Sequence, residues 1–113
     1  MLSAYGCTPR RWYMVRAATD MRKSFNGLAD IIQCQLGGNP MSGDAFVFTN
    51  RRRNRLKILV WSDAGFWVCA LRISQGCLRL PWRPLAADSP ECRVVAPHAL
   101  AAVISETISA RQR

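Results

Sequence analysis

Residues 46–67 read FVFTNRRRNRLKILVWSDAGFW and place a dense group of cations between two apolar runs. Aromatic and β-branched runs of this length, separated by residues that favour turns, are typical of paired β-strands. We therefore predict a hairpin with its tip at residues 50–54. The cations of the stretch are Arg51, Arg52, Arg53, Arg55 and Lys57. Because like charges at this density repel one another, we expect them to point into solvent and to attract an anionic partner.

The composition indicates a small, strongly basic globular chain. It has 113 residues, 50% of them hydrophobic, with a net charge of +9 and a pI of about 10.4. This apolar content excludes a disordered chain, and the length suits a single domain, 1–113. A compact basic domain favours nucleic acid as its partner first, and an acidic protein or a membrane surface second. Since there is neither a secretory leader nor an apolar run of membrane-spanning length, we expect a cytoplasmic protein that does not enter a membrane.

The cysteines, histidine and acidic residues, which most often serve in catalysis or metal binding, are scattered along the sequence. The 5 cysteines have no CxxC spacing and His98 is the single histidine, which argues against a zinc site. The cysteines fit best as small apolar residues in a reducing compartment. Of the 7 acids, Asp44 and Asp63 lie near predicted strand ends, but their spacing does not force them together. We predict no catalytic residues, no metal and no cofactor.

A long helix is predicted before the hairpin. We predict a short strand at residues 12–17, after which Thr19 or Asp20 should cap the helix. Gly37 and Gly38 end it. Its buried face is given by apolar residues in steps of three and four, namely Met21, Phe25, Leu28, Ile32 and Leu36.

Two cations, Arg22 and Lys23, fall in the first turn of that predicted helix. Free N–H groups and two positive charges together suit a phosphate. An ordinary solvated helix end is an equally good interpretation of the same residues.

A meander of strands follows the helix. The predicted strands are residues 45–49, 55–61, 66–73 and 77–82, and both faces of 55–61 carry apolar groups, so that strand is central. Residues 81–93 read as a loop, Val94 and Val95 as a short strand, and residues from Pro97 onwards as a second helix. We therefore expect an α+β fold: an antiparallel meander of about four strands, a long helix in the N-terminal half packed on it, and a smaller C-terminal helix.

The aromatic residues near the cations are open to more than one interpretation. Trp61, Phe66, Trp67 and Trp82 can be stacking platforms for unpaired bases or anchors for a protein partner. Such residues are more often core, and the flanking prolines make Trp82 the one expected to be most exposed.

The order of motifs along the chain resembles that of a known family. Thr19-Asp20-Met21-Arg22-Lys23 is followed by Phe25, Gly27 and Leu28, then by the basic hairpin, Trp61, Gly65-Phe66-Trp67, Arg72, Gly76 and Pro81. The combination resembles the small accessory proteins, called TnpB or Orf2, of IS66-type bacterial insertion sequences, which are unrelated to the RNA-guided nucleases of the same name. It covers residues 12–82, leaving 1–11 as an irregular arm and 83–113 as a loop and helix. Val60-Trp61-Ser62-Asp63 departs from the Trp-Trp-Asp-Gly common in the family.

The resemblance implies a role in transposition beside a separate transposase that carries the catalytic acids. Combined with the charge, it predicts a non-catalytic accessory protein that binds DNA through Arg22, Lys23, Arg51, Arg52, Arg53, Arg55 and Lys57. The alternative is an adaptor that docks on the transposase or another element-encoded protein through Trp61, Trp67 or Trp82.

Overall fold

The computed structural model describes residues 8–78 and 92–95, which form one five-stranded sheet. The strands are β1 (Trp12–Ala18), β2 (Ala45–Thr49), β3 (Arg55–Ser62), β4 (Gly65–Arg72) and β5 (Cys92–Val95). Their order across the sheet is β4-β3-β2-β1-β5. β1 runs parallel to β2, and every other neighbouring pair is antiparallel.

The predicted antiparallel meander is therefore wrong as a description of the sheet. Only β2, β3 and β4 form a meander, whereas β1 reaches β2 by a crossover that contains a helix. Alternation of apolar residues has the same period in both directions of pairing, so it locates a strand without orienting it. The predicted strand 77–82 is also not found: Cys77 and Leu78 are outside any strand, and residues 79–82 lie outside the described part of the chain.

The predicted long helix is wrong as well. Helix α1 is Phe25–Asp30, six residues long, and it continues into a five-residue π-helical turn, Ile31–Gln35. In that turn the N–H of Leu36 donates to the carbonyl oxygen of Ile31 at 3.1 Å, a bond across five residues. The smaller C-terminal helix predicted from Pro97 falls outside the described residues.

Residues 19–23, predicted to open the helix, form a turn. The Asp20 carboxylate accepts a hydrogen bond from the backbone N–H of Arg22 at 2.9 Å, and the N–H of Lys23 donates to the Asp20 carbonyl at 3.2 Å. Local bonds of this kind compete with helix formation. The N-cap is Ser24, with an extended ψ of −165°. The predicted end is confirmed, since Gly37 takes the left-handed φ of +65° that closes helices.

Apolar side chains are buried on both faces of the sheet. One cluster lies on the helix side and contains Val15, Leu28, Ile32, Phe46, Phe48 and Leu59. The other lies on the opposite face and contains Met14, Ala45, Val47, Leu56, Ile58, Val60 and Leu78. β3 contributes to both clusters and is flanked by β2 and β4, which confirms its prediction as a central strand.

Candidate functional site

The tip between β2 and β3 is held by two asparagine side chains. Asn50 Oδ1 accepts hydrogen bonds from the N–H groups of Asn54 and Arg55 at 3.0 and 3.1 Å. Asn50 Nδ2 donates to Asn54 Oδ1 at 2.6 Å. The predicted tip is confirmed, and this frame leaves Arg51 and Arg52 exposed.

Arg53 differs from its neighbours at the tip. It is half-buried and has a left-handed φ of 55°, which costs a residue other than glycine about 1–2 kcal/mol. Its N–H donates to the Asn50 carbonyl at 3.1 Å, and its carbonyl accepts from the N–H of Leu78 at 2.7 Å. The adjacent Asn54 carbonyl accepts from the N–H of Ile73 at 2.7 Å. Arg53 therefore fastens the tip to the segment after β4.

The parallel pairing of β1 and β2 brings Arg22 to this tip. The N–H of Thr19 donates to the Thr49 carbonyl at 2.8 Å, so the carboxyl ends of the two strands stay together. A hollow of about 330 Å³ lies there. Its lining is Thr19, Asp20, Met21, Arg22, Asn50, Arg51, Arg52 and Arg55. The space outside the carboxyl ends of parallel strands is a common ligand position in sheets with crossover helices.

A second hollow, of about 320 Å³, extends along β3 and β4. It shares Met21 and Arg55 with the first and adds Lys57 and Arg72 to its lining. We call the two adjoining hollows the basic groove, and its cations are Arg22, Arg51, Arg52, Arg55, Lys57 and Arg72.

Arg72 was not among the predicted site residues, yet it lies directly opposite Arg55 in the β3–β4 pairing. The sequence carried a usable signal. Once a two-residue turn pairs Ser62 with Gly65, the antiparallel register places Arg72 beside Arg55. Two arginines face each other because the turn sets the register.

The predicted second cluster divides between two places. Arg22 lines the basic groove, whereas Lys23 lines a separate hollow of about 120 Å³ between the end of β1 and the helix. Neither residue lies in the first turn of α1, because both precede its N-cap. The two clusters are nevertheless joined, since Lys57 Nζ donates to the Lys23 carbonyl at 2.8 Å. Lys57 is thus half-buried and fastens the segment before α1 to β3.

Asp20 is the one acid among the described residues that line the basic groove. Its carboxylate accepts from Arg22 Nε at 3.1 Å and from Arg22 Nη2 at 2.8 Å. The hydrogen bonds from Arg22 hold the pKa of Asp20 well below its usual range, and the same pair raises the pKa of Arg22. The carboxylate therefore orients Arg22 and neutralises part of its charge.

The predicted aromatic anchors lie on opposite faces of the sheet. Trp67 packs against the cluster on the face away from the helix, which agrees with a core role. Trp61 lies on the helix side, with its ring edge-on to Phe66 at 4.9 Å. Phe25 stacks on Phe66 at 6.2 Å and is 45% exposed. Trp82 falls outside the described residues.

Among the described side chains of residues 8–78, no three His, Cys, Asp or Glu group as metal ligands. The helix described there is too short to cross a membrane.

Comparison with known proteins identifies one family. A family model described as "IS66 Orf2 like protein" matches residues 10–111. The chain is also 30% identical over 76 residues to "Uncharacterized protein y4jC" of Sinorhizobium fredii, a match that covers 65% of each chain. The chain thus spans just under two thirds of that relative's length. No solved structure matches the chain significantly.

Proposed function

The chain belongs to the IS66 Orf2-like family, and from this premise we propose that it assists transposition without catalysing it, by binding DNA phosphates in the basic groove. The resemblance predicted from the motifs is confirmed by the family match, which reaches well beyond residues 12–82. The family carries an accessory role associated with insertion sequences and is not a known catalytic family. We propose three further points: the ligand is DNA, it binds in the basic groove, and the protein acts in the cytoplasm.

One observation carries the proposal: the fold brings like charges from three separate segments to the two adjoining hollows of the basic groove. Arg22 follows β1, Arg51 and Arg52 form the tip, and Arg72 comes from β4. Like charges directly opposite each other in a sheet are destabilising. A ligand with closely spaced negative charges offsets that repulsion, and a phosphate backbone is such a ligand.

The side chains also suit phosphate in their chemistry. Arginine presents a planar fork of donors that matches phosphate oxygens two at a time. The described helical segment packs on the sheet through Leu28 and Ile32, so it is not presented as a recognition helix for the major groove. We therefore expect largely sequence-independent binding. If five phosphates are neutralised, the log–log dependence of affinity on salt has a slope of about −4.5.

The test is fluorescence anisotropy with a labelled duplex of the element's terminal repeat and a scrambled duplex, from low to physiological salt. The groove variant is Arg51→Gln/Arg52→Gln. Its matched control is Arg10→Gln/Arg11→Gln, which removes the same charge from exposed residues just before the amino end of β1. We expect the groove variant to make the salt slope shallower by about 1.8, and the control to change it much less. Equal changes in both variants would show that overall charge, and not the groove, attracts DNA.

An adaptor role on the transposase remains the competing proposal, and exposed Phe25 is the observation that favours it. Pull-down of the purified transposase by the same variants separates the two. If Arg51→Gln/Arg52→Gln binds DNA normally but no longer retains the transposase, the groove is a protein-docking site. If it loses DNA and still retains the transposase, DNA is the groove's ligand.

A further inference from the structure

An aromatic surface lies on the same face of the β3–β4 hairpin as part of the basic groove. It consists of Phe25, Phe66 and Trp61. Trp61 and Phe66 are paired across the strands, with ring centroids 4.9 Å apart and planes at 69°. Phe25 covers Phe66 at 6.2 Å with planes at 24°. Phe25 is 45% exposed, and it and Met41 are the exposed large hydrophobic residues of the described chain.

The register orders cations and aromatics along one line. Alternate residues of a strand share a face, so Arg55, Lys57 and Trp61 point to the helix side of β3. Their partners on β4 are Arg72, Ala70 and Phe66 in the same order. At about 3.4 Å per residue, the arginine pair and the aromatic pair are about 20 Å apart. Between Lys57 and Trp61 the pair Leu59 and Val68 packs into the cluster on the helix side, so the face changes from cationic to aromatic across one apolar pair, over a few nucleotide lengths.

Lys57 and Ala70 form the next pair along this line after the arginines. Lys57 Nζ donates to the Lys23 carbonyl at 2.8 Å, which holds the segment leading to Phe25 beside β3. Opposite Lys57, Ala70 is exposed and lines the second hollow of the groove. The small side chain of Ala70 adds little bulk to the lining of the hollow beside the cations.

Charge and aromatic surface together identify the form of the nucleic acid. A duplex presents phosphates outward and keeps the faces of its bases stacked inside, so it offers nothing to an exposed phenyl ring. An unpaired strand presents both phosphates and base faces, and proteins bind such strands with a basic groove and aromatic platforms. Resting on the proposed DNA-binding function, we propose that the groove takes a single-stranded DNA segment whose bases stack on the aromatic surface, with Phe25 as the outermost platform.

The experiment compares binding of a labelled oligo(dT) strand and of a duplex of equal length at the same salt. The variants are Phe25→Ala and Phe25→Trp, with Met41→Ala as the matched control because Met41 is likewise exposed, at 52%, and lies outside the aromatic surface. Thermal melts followed by circular dichroism verify folding. We expect wild type to prefer the strand. Phe25→Ala should weaken strand binding about tenfold, the size of one lost stacking contact, and leave duplex affinity and the salt slope unchanged.

Two control variants and three contrary outcomes complete the test. Phe25→Trp should bind the strand as well as wild type does, because it keeps an aromatic platform, and Met41→Ala should also bind it like wild type. Equal affinity of wild type for strand and duplex, with no effect of Phe25→Ala, would overturn the stacking proposal and leave the phosphate-binding function standing. Failure of wild type to bind either DNA would overturn both. Loss of transposase capture by Phe25→Ala with strand binding intact would assign the aromatic surface to a protein partner instead.

Discussion

The two connections of the β2–β3–β4 meander differ in length and in the hydrogen bonds that hold them. Between β2 and β3, residues 50–54 use asparagine side chains and bonds to Ile73 and Leu78 to hold a tip that carries arginines. Between β3 and β4, two residues suffice, and Ser62 Oγ donates to the Gly65 carbonyl at 3.2 Å. The hydrogen bonds of the first connection hold its like charges close together, whereas the second connection only reverses the chain. Cations therefore mark one end of the hairpin and aromatic rings the other.

The largest expected effect comes from removing the frame of the arginine tip. Asn50→Ala deletes two accepted bonds and one donated bond and leaves the N–H groups of Asn54 and Arg55 without that acceptor. At about 1 kcal/mol for each bond, the free energy of unfolding should fall by about 2–3 kcal/mol. Urea denaturation measures it, with an unchanged m-value as the check on two-state behaviour.

The control for that change is Ser62→Ala at the other turn, which removes one bond and should cost about 0.5–1 kcal/mol. If the two substitutions cost the same, the tip is not held by its asparagines.

A smaller effect should appear where Arg55 and Arg72 face each other. Arg72→Glu converts a repulsive cross-strand pair into an attractive one, so the free energy of unfolding should rise by about 0.5 kcal/mol at low salt. DNA affinity should fall several-fold in the same variant, because the groove loses a cation and gains a carboxylate. Opposite changes in stability and binding are the signature of a functional site.

Arg72→Gln provides the reference for both measurements, because it removes the repulsion without adding an attraction. DNA affinity that stays at the wild-type level in Arg72→Glu would remove β4 from the binding site.

The smallest effect is expected at Asp20. Asp20→Asn keeps an acceptor for the backbone N–H of Arg22 but frees the guanidinium from its carboxylate. DNA affinity should increase a few-fold, and the salt slope should steepen by about 0.9 as Arg22 gains a phosphate. Weaker binding would show instead that Asp20 is needed to orient Arg22.

The same pair predicts the pH dependence of the groove. Because the pKa of Asp20 is lowered in the folded chain, its pairing with Arg22 is complete above the ordinary carboxyl pKa and is lost only as pH falls through the lowered value. DNA affinity measured between about pH 5 and 8 should therefore not change through Asp20.

Strand positions were largely predictable from local pattern. β2 was predicted with its observed bounds, Ala45–Thr49, and β1, β3, β4 and β5 differ from their predicted bounds by one or two residues, whereas the predicted strand 77–82 is not found in its described residues. The asparagines around the arginine run marked the tip, because they bond readily to nearby backbone. The helix was predicted too long because Met21, which precedes the N-cap Ser24, fits its apolar spacing. Met21 instead packs from the turn that Asp20 stabilises.

The basic groove was predictable only in part. Its cations at the tip are adjacent in sequence, and Arg72 follows from the register of a short hairpin. Arg22 could not be placed in this way, since nothing local to residues 19–23 shows which strand β1 will join. Nor did local sequence distinguish Arg53, whose left-handed backbone depends on bonds to Leu78 and Asn50.

The sequence alone determined the basic character of the chain, most of its strands, the arginine tip and the family to which it belongs, because each depends on composition or on residues close together in the chain. Tertiary structure decided that β1 lies parallel to β2 and that Arg22 reaches the tip across the Thr19–Thr49 hydrogen bond. It also decided which aromatic rings face the cations and which enter the core. These features depend on pairing between distant segments, and the free energy of that pairing is set by the whole core and not by any local pattern.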